Sequence, residues 1–116
     1  MHGEVFDPAV LGELLELGGE EDREFVGELG DLFLRDAPGK VEAIVEGATA
    51  GDLERVERAA HSLKGSAGNL GAIALQHLAE TLQNAGRNGD RSTIVSAAPR
   101  IEAVFGEASD ALRGFT

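Results

Sequence analysis

Apolar residues recur along this chain at alternating intervals of three and four, the mark of amphipathic helices that turn one face to a core. The clearest run is Leu53, Val56, Ala60, Leu63, Ala67 and Leu70. A second holds Leu75, Leu78, Leu82 and Ala85, and a third Ile94, Ala98, Ile101, Phe105, Ala108, Leu112 and Phe115. Earlier in the chain Phe25, Leu29, Leu32 and Phe33 share one side, and the rhythm resumes after Pro38 at Val41, Ile44, Val45 and Ala48. Proline lacks a backbone N–H and its ring crowds the preceding turn. Pro38 therefore predicts an interruption or kink near Ala37, which leaves open one kinked helix or two. Pro99 is expected to bend the last helix near its start. At the N-terminus, Asp7 and Pro8 suit the cap and first position of a short helix. Its apolar face would be Leu11, Leu14 and Leu15, and Gly18-Gly19 would end it.

Gly51-Asp52, Gly71 and the stretch NAGRNGD read as turns between these segments. Connections this short make neighbouring helices antiparallel. The pattern thus predicts an all-α fold, an up-and-down antiparallel four-helix bundle with a short additional N-terminal helix. The 116 residues suffice for one core, so residues 1–116 are expected to form a single domain. Neither an internal repeat nor a low-complexity tail interrupts the pattern.

Composition narrows the function. The formal net charge is −11, which argues against nucleic acid or anionic lipid as a general partner. The chain has no cysteine, so it carries neither a disulfide framework nor a thiolate metal site. MHGEVFDPAV has no basic region followed by an apolar one, and no apolar run approaches the ~20 residues that span a bilayer. A soluble, cytoplasmic protein that does not engage membranes is expected. The histidines His2, His61 and His77 form no i,i+4 pair, and no metal site is expected. No nucleotide-binding loop and no nucleophile elbow occur, so autonomous ATP-dependent kinase activity and serine hydrolysis are not expected.

One stretch does not fit an ordinary surface helix. HSLKGSAGNLGA, residues 61–72, continues the seam while placing glycine at positions 65 and 68, each costing about 0.5–1 kcal/mol relative to alanine. His61 follows seam residue Ala60 and shares a stripe with Glu54, Arg58, Gly65 and Gly68. In a helix the side chain at i+4 leans back over residue i, so Gly65 leaves the imidazole uncovered. Lys64, at i+3, brings an ammonium within reach of anything attached to that ring. An incidental surface histidine beside a frayed helix end is the simpler alternative, but the apolar seam runs past both glycines to Leu70. Neutral imidazole is a nucleophile near neutral pH, and an uncovered one beside a lysine suits chemistry on an anion.

AAHSLKGSAGNLGA resembles the phosphorylation-site helix of histidine-containing phosphotransfer domains, whose pattern is H-x-L-K-G-S followed by a short run and Gly-Ala. His61, Leu63, Lys64, Gly65, Ser66, Gly71 and Ala72 all fit, and LFLRDAP, AGDLE and GRNGD are similar to the family's layout over nearly the whole chain. The resemblance implies a phosphorelay intermediate. His61 would accept a phosphoryl group on Nε2 from a receiver-domain phospho-aspartate and pass it to another receiver aspartate. Lys64 would neutralise phosphoryl oxygens, and Gly65, with Ser66 and Gly68, would let the receiver approach. Gln83, at the position where relatives carry a glutamine, would hold the ring's Nδ1–H with its amide oxygen. Its place one residue after Leu82 matches that of His61 after Ala60, so both can flank one groove. Arg87 and Arg58 would add positive charge, and Arg55, Arg58, Lys64 and Arg87 together would form a basic docking patch. Expected partners are response-regulator receiver domains and a hybrid sensor kinase. No cofactor is expected in the chain, because the receiver would supply Mg²⁺. A monomer is expected. A helical adaptor that docks on receivers without phosphorylation is the contrasting class, but it would lack the histidine. A domain excised from a larger hybrid or chemotaxis kinase is another alternative; the initiating Met1 and the absence of a linker favour a free-standing protein.

Overall fold

The computed structural model describes residues 20–115, and the expected helix at Asp7–Leu17 lies outside the described residues. Five α-helices follow in order: α1 Glu20–Ala50, α2 Leu53–Leu70, α3 Ile73–Asn88, α4 Arg91–Ala97 and α5 Ile101–Phe115. A 3₁₀ turn, Ala98–Arg100, joins α4 to α5. Helices α1, α2 and α3 form three antiparallel members of a four-helix bundle, and α4, the 3₁₀ turn and α5 together form the fourth. No strand occurs among the described residues.

The two proline expectations come out differently. Pro38 lies inside α1, which runs unbroken through it for 31 residues. The segment is therefore one helix. Pro38 is exposed, while Phe33, Ala37, Val41 and Ile44 on the opposite side are buried. Packing of that stripe across the proline offsets the lost hydrogen bond to the Leu34 carbonyl. Around Pro99, by contrast, the helix does change to the 3₁₀ form before α5 begins.

Helix boundaries follow their capping residues. Asp52 caps α2, its carboxylate accepting from Arg55 N–H at 3.1 Å. Asp90 caps α4 and accepts both Thr93 N–H at 3.1 Å and the Thr93 hydroxyl at 2.6 Å, which holds its carboxyl below the usual range. The turns after α1, α2 and α3 each use a glycine in the left-handed region, with φ near 72° at Gly51, Gly71 and Gly89. Side chains resist that conformation, so these three positions set where the chain reverses.

The seams read from the sequence form the core. Val56, Ala60, Leu63, Ala67 and Leu70 of α2 are buried, as are Leu75, Leu78, Leu82 and Ala85 of α3. Leu53 is only half-buried, at the first turn. Phe33 and Phe105 meet across the bundle with ring centroids 5.8 Å apart. Leu32 departs from expectation and is 48% exposed. The buried stripe of α1 passes through Phe33 and Ala37, and Leu32 lies one residue, about 100°, to its side. Helix α2 packs most extensively on α3 and next on α1. Each fully buried leucine contributes about 1.5–3 kcal/mol of transfer free energy. Leu63 and Leu82, both at 0% exposure, therefore fix the relative position of the two helices beside His61.

Candidate functional site

The antiparallel α2–α3 pair carries its polar groups in rungs. Going forward along α2 and backward along α3, Glu57 meets Arg87, His61 meets Gln83, and Gly68 meets Gln76. These residues recur at helical spacing on both elements, so they lie along one edge of the seam.

His61 is exposed, whereas Gln83 is buried, with 4% of its surface accessible. The sequence placed Gln83 on the flank of a groove; the structure sets it deeper, as the floor beneath the imidazole. The Gln83 amide lies 2.9 Å from His61 Nδ1. With Nε2 of the glutamine toward the ring, the amide donates to a bare Nδ1, and Oε1 is buried without a partner. A half-turn of the amide exchanges oxygen and nitrogen within the same envelope, and Oε1 then accepts from Nδ1–H. In either arrangement Nδ1 is engaged with a buried side chain and the ring's free edge, Nε2, points away from that contact.

What surrounds the free edge matches the glycine argument at one position and qualifies it at another. A Cβ built on Gly65 meets nothing within 4 Å, so the space above His61 is open. A Cβ on Gly68 would meet the Gln76 amide at 3.1 Å, so that glycine makes room for a neighbouring side chain of α3. Ser66 faces α1, where its hydroxyl accepts from Lys40 Nζ at 2.8 Å and donates to the Ser62 carbonyl at 3.2 Å. Lys64 is half-exposed and forms no ion pair among the described residues.

The expected basic patch is largely neutralised. Arg55 pairs with Glu46 at 2.6 Å, Arg58 with Glu54, and Arg87 with Glu57 at 3.2 Å. Glu54 lies four residues before Arg58 in the same helix, whereas Glu46 and Glu57 reach Arg55 and Arg87 from neighbouring helices. Glu54, Glu57, Arg58 and Arg87 join His61 and Gln83 around an open depression of about 440 Å³. Glu54 was read only as part of the His61 stripe, and Glu57 was not singled out from the sequence. Glu57, four residues before His61, lies on the same face by spacing alone. Lys40 was also missed, because its link to Ser66 crosses 26 positions of sequence. Among the described residues no group of three or more acidic or histidine side chains converges as a metal site, and no helix is long and apolar enough to cross a membrane.

The His61 imidazole is thus exposed, held from below at one nitrogen and uncovered above. The chain's fold is similar to that of histidine-containing phosphotransfer protein B (HptB) from Pseudomonas aeruginosa PAO1, with a TM-score of 0.83 and 24% identity over 97% of this chain and 94% of that one. No match is found among curated proteins. The family model described as "Hpt domain" matches residues 28–113, which include the whole of α2 and α3, and the chain therefore belongs to the histidine-containing phosphotransfer (Hpt) domain family.

Proposed function

We propose that this protein is a phosphorelay intermediate in which His61 Nε2 accepts a phosphoryl group from a receiver-domain phospho-aspartate and gives it to the aspartate of another receiver. The observation that carries the reading is the exposed His61 ring, held at Nδ1 by a buried glutamine and left open by Gly65. Gln83 Oε1 accepts from Nδ1–H, which fixes the tautomer and leaves the lone pair on Nε2. That lone pair attacks phosphorus in line as the bond to the aspartate oxygen breaks. The aspartate leaves as a carboxylate, and the imidazole keeps its Nδ1 proton. On the return transfer the flow reverses.

Such a reaction asks mainly for alignment and charge neutralisation. Lys64, three residues after His61 and without an ion pair among the described residues, meets the phosphoryl oxygens. The receiver brings its own Mg²⁺ and acidic pocket, so this chain needs no cofactor. Gly65 lets the receiver's surface close over the ring. Partners are response-regulator receivers and a hybrid sensor kinase, met by the chain as a monomer.

The test is label transfer from a phosphorylated receiver to wild type and to His61→Gln. Wild type takes an acid-labile, alkali-stable label, as a phosphoramidate should. His61→Gln takes none while circular dichroism shows an unchanged helical fold. Undiminished labelling of His61→Gln would refute the assignment.

A further inference from the structure

The rung next to His61–Gln83 is Glu57–Arg87, one helical turn away on each element. Both rungs line the same depression, whose two carboxylates and two guanidinium groups sum to no net charge. The Glu57–Arg87 bond is a single contact through Nε at 3.2 Å, and the side chains are 32% and 58% exposed. It lacks the two-pronged geometry of the strongest arginine pairs, and exposed ion pairs of this kind are weak. Arg58 pairs with Glu54 within its own helix, whereas Arg87 stands on the facing helix one turn from Gln83, which holds the ring, and is the cation across the depression that a new anion on His61 can capture.

We propose that Arg87 exchanges partners when His61 is phosphorylated, leaving Glu57 to the phosphoryl group, and that Glu57 thereby sets how readily the group departs. The proposal rests on His61 being the phosphoacceptor. A phosphoryl group adds nearly two negative charges and three acceptor oxygens one turn from Glu57. A guanidinium prefers that dianion to one exposed carboxylate. Once Arg87 has moved, Glu57 stands unpaired and repels the phosphoryl group. The unmodified state keeps the bridge, and the phosphorylated state loses it and gains the repulsion. Glu57 thus raises the free energy of phosphohistidine relative to histidine and favours onward transfer, while Arg87 opposes it. Glu57 and Arg87 are positioning residues here, acting on a group that His61 carries.

The experiment uses the full chain, ¹⁵N-labelled, as wild type, Glu57→Gln, Arg87→Gln and the double variant. Phosphoramidate is the donor, so no receiver interface enters. Its P–N bond breaks as the Nε2–P bond forms, ammonia leaves, and the imidazole retains its Nδ1 proton. At fixed ammonia concentration, ³¹P spectra give the ratio of phosphorylated to free His61. Two spectroscopic and three equilibrium results are expected. The Arg87 Nε–H resonance of wild type moves on phosphorylation, and in Glu57→Gln it starts from an unbridged position. Glu57→Gln raises the ratio roughly three- to tenfold, the range for one screened charge at this spacing. Arg87→Gln lowers it, and the effect of Glu57→Gln is smaller without Arg87 than with it. An Arg87 resonance unmoved at full labelling, or a Glu57→Gln ratio equal to wild type, overturns the exchange and leaves the phosphoacceptor assignment standing. Failure of His61 to take label from either phosphoramidate or a phospho-receiver overturns both.

Discussion

Gly65 and Gly86 are both helical glycines on the α2–α3 pair, and they are there for opposite reasons. A Cβ on Gly86 would sit 2.9 Å from the Leu53 carbonyl oxygen and 3.0 Å from Glu57 N, so the missing side chain lets the two backbones touch. A Cβ on Gly65 would meet nothing within 4 Å. The first glycine serves the fold. The second weakens its own helix and gives the fold no contact in return; in the proposed function its use is access to His61. The same residue type in the same pair of helices thus separates what holds the platform together from what the platform presents.

The strongest way to break this contrast is to fill Gly65. Glutamine at that position leans back over the His61 ring. Transfer from a phospho-receiver is expected to fall about a hundredfold or more, equivalent to about 2.7 kcal/mol of barrier. The helix, relieved of a glycine, should be about 0.5–1 kcal/mol more stable. Parallel rapid-quench kinetics and urea denaturation on Gly65→Gln separate the two effects. Lost stability together with lost transfer would make Gly65 a packing residue like Gly86.

The reverse pattern is expected at Gly86. Gly86→Ala improves helix propensity but drives a methyl group into backbone atoms that have no rotamer to give way. Overpacking of this kind costs about 1–3 kcal/mol. The urea midpoint should fall, with transfer rates unchanged under conditions where the variant is folded. A midpoint equal to wild type would mean that α2 and α3 can separate freely, and the fixed geometry beneath His61 would lose its basis.

Gly106 sharpens the comparison with the smallest effect. It is also open, with nothing within 4 Å of a built Cβ, but it lies on α5, which packs on α1 and α3. Gly106→Ala should stabilise the domain by about 0.5–1 kcal/mol and leave transfer unaltered. A transfer defect there would show that openness alone does not distinguish Gly65.

The sequence reached the helical seams because burial in a bundle imposes a period that survives in one dimension. Val56, Ala60, Leu63, Ala67 and Leu70 are buried as their spacing requires. His61 and the open space at Gly65 were legible for the same reason, since the four-residue offset of a helix decides what covers what. Other features were not local. Pro38 is tolerated because of tertiary packing on the far side of α1, which outweighs a local rule. Gln83 was placed beside His61, but its burial depends on how closely α3 approaches α2. The neutralised arginines needed the pairing of Glu57 with Arg87 and Glu46 with Arg55 across helices, 30 and 9 positions apart. The spacing of Glu54 and Arg58 within one helix was readable and was overlooked.

The central claim is that the buried Gln83 amide leaves one particular nitrogen of one particular histidine free to react. Long-range ¹H–¹⁵N correlation spectra of the imidazoles, recorded before and after transfer from a phosphorylated receiver, test it directly. The account predicts that the His61 resonances alone change, with the phosphoryl group on Nε2 and the proton retained on Nδ1, while His2 and His77 are unaltered. A phosphoryl group on Nδ1 of His61, or on either of the other two histidines, would contradict it.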